Sequence, residues 1–556
     1  MAARRPATLR NEPPQRQNTQ AVGTPAPMRG LVANAPIYGT DAGNHETAIW
    51  LFNMIPREMG VSVRPGSKET VTGLLDKDAL PADVRTLMYY NSVVAQSSGG
   101  IDFAFAVTND GIFDVTAGGS GPHAKVLNWP IKDAEKAGWC SVLNYTNVAG
   151  DHFLLVCDEA NGYYVFDGLV WTQGTVSTTG PISAPDPADL VQLVEWNARV
   201  WFVERDTAKA WFTDPIAFTG EVQTFDLGSR FKKGGHLVQL STWTVDDGAG
   251  MDDKLVAVGS AGDLLVWELS GTFNPENSDD LRVVGRWFVG TVPEGRRVLS
   301  DWGGDVLIAS DFGLLKLSAL LGGMASLDDD SYITKNITRY FRSFMETVRD
   351  EYGWQLELNP AEGVAIVSVP KENPTSTPIQ FCFNINTGAW SMFRDLDMRC
   401  LNKNGGGFFF GTSDGRVLQM TGFADAVSLD GLTGQTIVYS LLTHYSNVGT
   451  PANWKRVQFI RPSFIGQGVP TFGVQARYDF DLSEVLNNPP FIKSDAALWD
   501  AAVWDIDVWA GASQSYINII GGHGMGRHIA IAMRGESSVE LSLVGFDLMY
   551  DTGGML

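Results

Sequence analysis

The chain has 556 residues, a formal net charge of −22 and a pI near 4.7. This length allows roughly two to four domains with a sizeable buried core. The excess of acidic residues argues against a protein that grips nucleic acid, because affinity for phosphate comes mainly from clustered Lys and Arg. A conduit through which DNA slides without sticking would carry the same sign of charge, and so would many ordinary soluble proteins.

The four cysteines lie far apart and form no CxxC pair, so neither a zinc site nor a disulfide framework is indicated. We expect them to be core residues of a protein assembled in a reducing cytosol. The N-terminus has charge but lacks the apolar segment of a signal peptide, and no run of about 18 apolar residues occurs. We therefore expect a soluble chain that is neither secreted nor inserted into a membrane.

Residues 1–35 are rich in Pro, Gln and Arg and almost lack apolar periodicity. Arg4, Arg5, Arg10 and Arg16 make this segment basic, opposite in charge to the rest of the chain. Such a segment cannot bury enough surface to fold alone. We predict an extended N-terminal arm that docks on an acidic neighbour or on its own subunit ring, with a loose tail as the alternative.

From about Leu75 to Ala424 one small unit repeats, made of an apolar strand, a turn of Gly, Ser and Asp, and a second apolar strand. It is plainest at 254–268, KLVAVGSAGDLLVWE. Variants occur at 103–115, 153–166, 200–212, 305–317 and 408–420. Apolar β-branched and aromatic residues suit a pleated surface, and Asp-Gly or Asn-Gly suits a tight turn. Each unit therefore predicts a β-hairpin.

A hairpin cannot bury its own apolar face, so hairpins in series must stack on one another. Seven clusters at roughly 40 to 50 residues each match the blade length of a β-propeller. We predict an all-β chain whose residues 36–430 form a β-propeller of about seven blades, six being possible. Several unrelated β-sandwich domains are the alternative.

The pattern changes at 332–354, YITKNITRYFRSFMETVRDEYGW. Ile333, Ile337, Phe341 and Phe344 have the spacing of one buried helical stripe, which predicts an amphipathic helix of about six turns inserted at 331–354. This stripe needs a partner, either the flank of the propeller or an adjacent subunit. We favour the subunit and predict that these four residues lie at an oligomer interface.

After a turn-rich boundary at 424–435, residues 431–556 alternate as strands and predict a C-terminal β-sandwich. The predicted strands are 437–445, 454–464, 472–480, 515–520, 528–533 and 539–550. Between the third and fourth lies a Trp-rich segment, ALWDAAVWDIDVW at 497–509.

No motif of a catalytic site stands out. His523 and His528 occupy a Gly-rich turn without a third ligand at a useful spacing. Ser413 in GTSDG matches the nucleophile elbow, but a strand rather than a helix is predicted to follow it. We therefore expect no catalytic residue, no cofactor and no bound metal. Paired carboxylates of a glycosidase remain open, because such residues meet only in three dimensions.

Several blocks occur in a characteristic order along the chain. They are PMRG at 27–30, AIWLFNMIP at 48–56, GVSVRPG at 60–66, VTGL at 71–74, a helical segment ending in YGW, NWKRVQFIRPSF at 453–464 and LWDAAVWD at 498–505. This order resembles the tail nozzle, or tail tubular, proteins of short-tailed bacteriophages, a β-propeller family. The resemblance covers nearly the whole length, and the last two blocks are its most specific part.

The resemblance implies a structural protein of the virion that forms the distal tail tube, or nozzle, of a short-tailed phage. Six copies are expected to form a ring that docks on the adaptor, the head-to-tail connector, and continues the channel for genome ejection. Tail fibres or spikes are implied partners, and DNA is expected to pass without specific binding. The protein would be assembled in the host cytoplasm and reside in the virion tail.

An alternative function comes from a different class. A β-propeller can also host a glycan-binding or glycan-hydrolysing tail protein that acts on a bacterial surface polymer. A hydrolase of this kind requires a concave pocket with two facing carboxylates.

Overall fold

The computed structural model describes residues 19–34, 46–92, 102–179, 181–246, 251–269, 281–321, 332–373, 375–468, 470–485, 514–517 and 519–555. Within these ranges the protein has a β-propeller-like all-β fold made of many small antiparallel sheets, with little helix. Five strands precede the hairpin repeats: β1 (Thr19–Pro25), β2 (Ala48–Phe52), β3 (Met54–Arg57), β4 (Gly60–Val63) and β5 (Ser67–Thr72).

The hairpin repeats form sheets that follow one another along the chain. Sheet 1 has β6 (Val84–Tyr90), β7 (Phe103–Thr108), β8 (Gly111–Asp114) and β10 (Ala124–Asn128). The short β9 (Gly119–Ser120) lies between β8 and β10 in the sequence but belongs to sheet 7. Sheet 2 has β11 (Cys140–Thr146), β12 (His152–Asp158), β13 (Gly162–Phe166) and β14 (Trp171–Gln173). Sheet 3 has β15 (Val176–Ser177), β16 (Leu190–Trp196), β17 (Arg199–Glu204), β18 (Lys209–Thr213) and β19 (Gly220–Asp226), with a 3-10 turn at Pro187–Asp189.

Four further sheets continue the series. Sheet 4 has β20 (Leu237–Asp246), β21 (Met251–Gly259), β22 (Asp263–Leu269) and β23 (Leu281–Phe288). Sheet 5 has β24 (Leu299–Trp302), β25 (Asp305–Ser310) and β26 (Gly313–Lys316), and sheet 6 has β27 (Gln355–Asn359), β28 (Val364–Ser368), β29 (Ile379–Asn384) and β30 (Trp390–Arg394). Sheet 7 has β31 (Cys400–Asn404), β32 (Gly407–Gly411) and β33 (Val417–Met420), with β5 added antiparallel to β33 and β9 parallel to β5.

The sheets stack face to face in cyclic order. In β21, for example, Val256 and Val258 pack towards sheet 5, while Leu255 and Ala257 pack towards sheet 3. Each neighbouring pair of sheets encloses its own cluster of buried apolar side chains, and the cluster between sheets 7 and 1 completes the circle. Burial of both faces explains why these strands are continuous apolar runs in the sequence.

Besides the seven repeated sheets, two sheets contain strands from both ends of the chain, and we call them the terminal sheets. Their strands after the repeats are β34 (Ile437–Thr443), β35 (Asn453–Gly466), β36 (Thr471–Tyr478), β37 (Gln514–Ile517), β38 (Ile520–Gly521), β39 (Ile529–Ser537) and β40 (Leu541–Met555). One terminal sheet has the order β3-β4-β40-β35-β37, with β1 beside β40 and β38 beside β35. The other, β2-β34-β39-β36, continues sheet 6 through β30. A shared cluster that includes Met54, Val457, Ile531 and Leu543 lies between them.

The structure differs from the prediction at the two ends of the sequence. The predicted arm contributes β1, which pairs with β40 from Thr19↔Asp551 to Pro25↔Gly545. Strands β2, β3 and β4, predicted within the propeller, join the terminal sheets instead. Strands β1, β2 and β4 pair with strands hundreds of residues away, and β3 joins the sheet through its local hairpin with β4. Periodicity along one segment does not report such distant pairing. The boundaries of the predicted domains at 35/36 and 430/431 stay predictions.

The inserted helix is shorter than the predicted 331–354. After α1 (Leu317–Leu321), a 3-10 turn at Ile333–Asn336 leads into α2 (Thr338–Val348). Tyr332 forms a β-bridge with Leu315 of sheet 5, which requires extended backbone where a helix was predicted to begin. At the other end the indole N–H of Trp354 donates to the carbonyl of Val348 at 2.9 Å and satisfies a terminal helix acceptor.

The apolar stripe of α2 packs inside the chain, which corrects the interface prediction. Ile337 and Phe341 are fully buried, together with Met345, in a cluster with side chains of sheets 5 and 6. Ile333 and Phe344 are half-buried and pack against the same cluster. Sheet 5 has only three strands, so its outer side and the neighbouring face of sheet 6 provide the apolar surface that the helix needs.

The packing of α2 can be tested with adjacent substitutions. We expect Phe341→Ala to lower the free energy of unfolding by about 3–5 kcal/mol, because it removes a fully buried ring. Tyr340→Ala, one residue away at a position that is 36% exposed, serves as the control and should cost less than about 1 kcal/mol. Urea unfolding followed by tryptophan fluorescence measures both. Equal effects would mean that the buried stripe is assigned incorrectly.

Candidate functional site

One edge strand from each of the seven sheets meets the others around one axis. We call it the first strand of its sheet, and in sheet 3 it is β16. Strands β6, β11, β16, β20, β24, β27 and β31 contact one another in this order, and β31 contacts β6. They surround a cavity of about 410 Å³, which we call the axial cavity. Its charged lining consists of Arg296, Arg297, Asp301, Glu357 and Lys403. Because residues of sheets 1, 2, 4, 5, 6 and 7 line it, this is a place where a ligand could contact several sheets at once.

Glutamine side chains join neighbouring first strands near the axis. The Gln192 amide donates to the carbonyl of Leu240 at 3.0 Å and accepts from the N–H of that residue at 3.1 Å. Gln355 makes the same pair of bonds with Leu401 at 2.7 and 3.0 Å. Gln239 bonds the start of β24 in a similar way. Each amide therefore replaces the backbone partners that a first strand lacks on its inner edge.

Arg297 connects three sheets at one end of the cavity. Its guanidinium donates to Thr86 Oγ1 at 2.6 Å, Gln355 Oε1 at 3.0 Å, and the carbonyls of Cys140 and Arg85 at 3.2 and 3.3 Å. Among the described residues no carboxylate forms an ion pair with it. Burial lowers the pKa of this guanidinium below its usual value. The group is therefore a structural cation stabilised by dipoles.

Trp139 lies beside Arg297 and is surrounded by cations. The guanidinium carbons of Arg85, Arg297 and Arg399 lie 5.6, 5.5 and 5.5 Å from the centre of its ring. Asp83 accepts from Arg85 and Arg399 at 2.9–3.0 Å. Burial alone would raise the pKa of Asp83, but the two guanidinium groups lower it. The network therefore packs three guanidinium groups around one ring directly beside Arg297, a lining residue of the axial cavity.

The carboxylates of the axial cavity are the residues with chemical potential. Lys403 Nζ lies 3.4 Å from Glu357 Oε1, and Asp301 also lines the cavity. Burial raises the pKa of Glu357, and Lys403 offsets this effect only in part. A carboxyl group with a raised pKa near a second carboxyl group is the arrangement that glycoside hydrolases use.

Other candidate groups are structural. Ser413 occupies the turn between β32 and β33, and its hydroxyl donates to Asp397. A strand rather than a helix follows it, unlike in a nucleophile elbow. His528 lies 3.7 Å from Asp479 in the turn before β39. Burial raises the pKa of all four cysteine thiols, those of Cys382 and Cys400 to about 12.

Two kinds of feature are absent from the part of the chain that the structure describes. There, no three side chains of His, Cys, Asp or Glu are grouped as a metal site requires. None of the described helices has the length and apolar character that crossing a lipid bilayer demands.

Of the predicted interface residues, the structure describes the four of the helical stripe. Ile333, Ile337, Phe341 and Phe344 lie together at the seam between sheets 5 and 6, as described above, and none of them lines the axial cavity. Arg4, Arg5, Arg10 and Arg16 lie outside the described residues, so their interface role stays a prediction, and the Trp-rich segment at 497–509 lies outside them too.

Sequence reasoning missed the axial residues, although one signal for them exists. The tetrapeptide LVQL occurs at 190–193 and again at 237–240, in each case three residues before a Trp. These residues start β16 and β20, and their glutamines make the bonds to the next sheet. Trp196 then donates to the carbonyl of Asp253 in β21, and Trp243 donates to the carbonyl of Gly304 in the turn between β24 and β25, each in the next sheet.

Comparisons with known proteins give structural likeness only. No family model matches the chain, and no curated protein matches it. A crystal structure of BBS1N in complex with ARL6DN is similar at a TM-score of 0.36 and 11% identity, covering 65% of this chain and 98% of that chain. The crystal structure of Saccharomyces cerevisiae Sqt1 gives 0.34 and 12%, covering 64% and 99%. With TM-scores below 0.5, the architecture is inferred from the chain's own sheets.

Removing the axial guanidinium tests its structural role. We expect Arg297→Met to lower the free energy of unfolding by about 2–5 kcal/mol, because several buried acceptors lose their donor. The matched control is Arg282→Met, since Arg282 is 68% exposed in its ion pair with Glu268 and should cost less than about 1 kcal/mol. Thermal and urea unfolding of both variants are the measurements. An Arg297→Met variant as stable as the control would show that the axial bonds contribute little.

Proposed function

We propose that this chain is the nozzle protein of a short-tailed bacteriophage, a structural protein of the distal tail. Several copies, six by the resemblance, form a ring that docks on the adaptor of the portal complex and continues the channel for genome ejection. Tail fibres or spikes are further partners. The protein assembles in the host cytoplasm, resides in the virion and has no enzymatic activity.

The finer architecture belongs to the same proposal. Seven stacked sheets in cyclic order support a seven-bladed β-propeller, in which β5 closes the ring by pairing with β33. The terminal sheets, facing each other across a common apolar cluster, support a C-terminal β-sandwich that also takes up β1 to β4.

The convergence of the resembling blocks supports the proposal most directly. The block at 48–56 supplies β2 and β3, the block at 60–66 supplies β4, and the block at 453–464 lies in β35. These strands all belong to the terminal sheets. Gly60 there has a φ of +147°, and a Cβ on it would lie 2.4 Å from the carbonyl oxygen of Leu543. Blocks far apart in sequence thus form one structural joint.

The geometry of the axial cavity bears on where DNA would pass. A cavity of about 410 Å³ is too small to admit a DNA duplex. A genome channel must therefore run between copies of the chain, along the axis of the assembled ring. The net charge of −22 supports an acidic channel wall that repels the DNA backbone and lowers friction.

The first test is the solution mass of the purified protein, combined with negative-stain images of the same sample. We expect a ring of about six copies with a central hole, either alone or after addition of the adaptor, because closed cyclic assemblies repeat one interface. A monomer that forms no ring with or without the adaptor would contradict the proposal.

The same sample tests the arm. A chain that lacks residues 1–18 keeps β1 and every other described strand, so its fold should be unchanged. We expect it to lose ring formation or adaptor binding, since the basic segment is proposed to contact an acidic neighbour. Normal assembly of the shortened chain would rule out this role.

A glycan-hydrolysing tail protein is the second candidate, favoured by one observation. Asp301 and Glu357 share the axial cavity, and burial raises the pKa of Glu357 in the direction that a general acid needs. No exposed aromatic ring lines the described cavity, so a sugar would be held by hydrogen bonds alone.

This candidate predicts release of reducing sugar from at least one member of a panel of bacterial capsular polysaccharides. Glu357→Gln should then lower the rate by about 100-fold or more, because it removes the general acid. Glu346→Gln, on the outer side of α2, removes the same charge as a control. If the unmodified protein releases no sugar, the candidate is discarded, and ring formation is judged separately.

A further inference from the structure

One loop of this acidic chain carries a cluster of positive charge. Residues 230–236, RFKKGGH, connect sheet 3 to sheet 4, and we call them the basic loop. Lys232 and Lys233 are exposed, and Arg230 is half-buried. The chain as a whole has 63 acidic against 41 basic residues, so three cations within four positions are a local exception that needs an explanation.

The neighbouring strand β23 adds a fourth cation and holds the loop in place. Arg286 and Phe288 are two residues apart, so their side chains lie on the same face of β23. The Arg286 guanidinium donates to the carbonyl of Arg230 at 3.0 Å. Lys233 Nζ lies 5.0 Å from the centre of the Phe288 ring, which is 43% exposed. The loop and the strand therefore present their cations on one surface.

The four cations are not neutralised within the described part of the chain. Arg230, Lys232, Lys233 and Arg286 form no ion pair with any carboxylate there. Asp263 accepts from the backbone N–H of Lys233, and Asp226 accepts from that of Gly228. These two carboxylates bind the backbone of the loop and its approach rather than the cations, and the Arg230 guanidinium lies 5.4 Å from the centre of the Phe225 ring.

The backbone of the loop also presents donors. Gly234 and Gly235 have φ values of +75° and +86°, and a Cβ on Gly234 would meet no atom within 4 Å. In the described structure the N–H groups of Lys232, Gly234 and Gly235 donate to no protein acceptor. The N–H groups of the two consecutive glycines are therefore available to donate to a phosphate oxygen.

The ligand that matches these features is a chain of phosphates. Clustered Lys and Arg bind the phosphate backbone without reading its sequence, and the backbone N–H groups give close contact with single phosphate oxygens. An acidic protein surface would also be attracted to four cations, but it has no need of the open glycine turn with its free N–H groups.

We propose that the basic loop, together with Arg286, binds the phosphate backbone of DNA independently of sequence. The choice of DNA among polyanions rests on the proposed function, in which the genome passes this protein. The site provides a weak and reversible contact on a chain that otherwise repels DNA. Its affinity depends strongly on salt, because each phosphate neutralised releases counterions.

The test measures fluorescence anisotropy of a short fluorescein-labelled DNA duplex of mixed sequence, titrated with the full chain at several NaCl concentrations. The variant combines Arg230→Gln, Lys232→Gln and Lys233→Gln, all in a surface loop. We expect it to weaken binding about tenfold at low salt and to reduce the slope of log affinity against log salt by about 3.

The matched control combines Lys335→Gln, Arg339→Gln and Arg342→Gln. All three residues are exposed; Lys335 lies just before α2, and the two arginines lie on it. The substitutions therefore remove the same amount of positive charge from a different surface. The control should retain the affinity and the salt slope of the unmodified chain. Circular dichroism and thermal unfolding of both variants establish that their fold is intact.

Two outcomes would overturn the inference. In the first, the unmodified chain binds no duplex even at low salt, or both triple variants bind equally. In the second, the loop variant keeps its DNA affinity but loses self-association, which would assign the loop to contact with the acidic surface of another copy. Ring formation by the unmodified chain without DNA binding would leave the proposed function standing and overturn only this inference.

Discussion

Burial of both faces of every repeated sheet is the constraint on which the rest of the structure depends. A sheet such as sheet 4 sends Val256 towards one neighbour and Leu255 towards the other, so it is apolar on both sides. A linear stack of such sheets would expose one apolar face at each end. Closure into a circle removes both exposed faces at once, and the cluster between sheets 7 and 1 is where this happens.

Closure in turn leaves backbone N–H and C=O groups without strand partners at the axis. Seven first strands meet there with backbone groups on their inner edges that no further strand can pair, and leaving them without partners is costly. Gln192, Gln239 and Gln355 bridge to the next strand, and Arg297 supplies donors where three sheets converge. The amides and the guanidinium therefore tie sheets to particular neighbours around the axis, which favours one order of the sheets.

The sequence predicted what is local and missed what is distant. The hairpins at 103–115, 254–268 and 408–420 are present because apolar alternation and turn residues act over a few positions. The helix was predicted too long because Tyr332 bridges to sheet 5, a contact that helical periodicity cannot report. The axial carboxylates Asp301 and Glu357 could not be paired in advance, since only the circular arrangement brings their strands together. The repeated LVQL was visible, but its meaning depended on knowing which strand faces the axis.

The seven repeated sheets and the terminal sheets are also connected through strands that need a hydrogen-bonding partner. Strand β2 extends sheet 6 beyond β30, so the two parts share one hydrogen-bonded sheet. Beside this joint Arg64, 1% exposed, donates to Asn53 Oδ1 at 2.9 Å and to both carboxylate oxygens of Asp425 at 2.6–2.8 Å. Separating the terminal sheets from sheet 6 would break the backbone hydrogen bonds of β2. It would also disturb the buried ion pair of Arg64 and Asp425, and breaking such a pair is costly. The two parts of the chain are therefore held together by backbone pairing and by a buried charged group at the same place, so neither can be removed without leaving unsatisfied partners in the other.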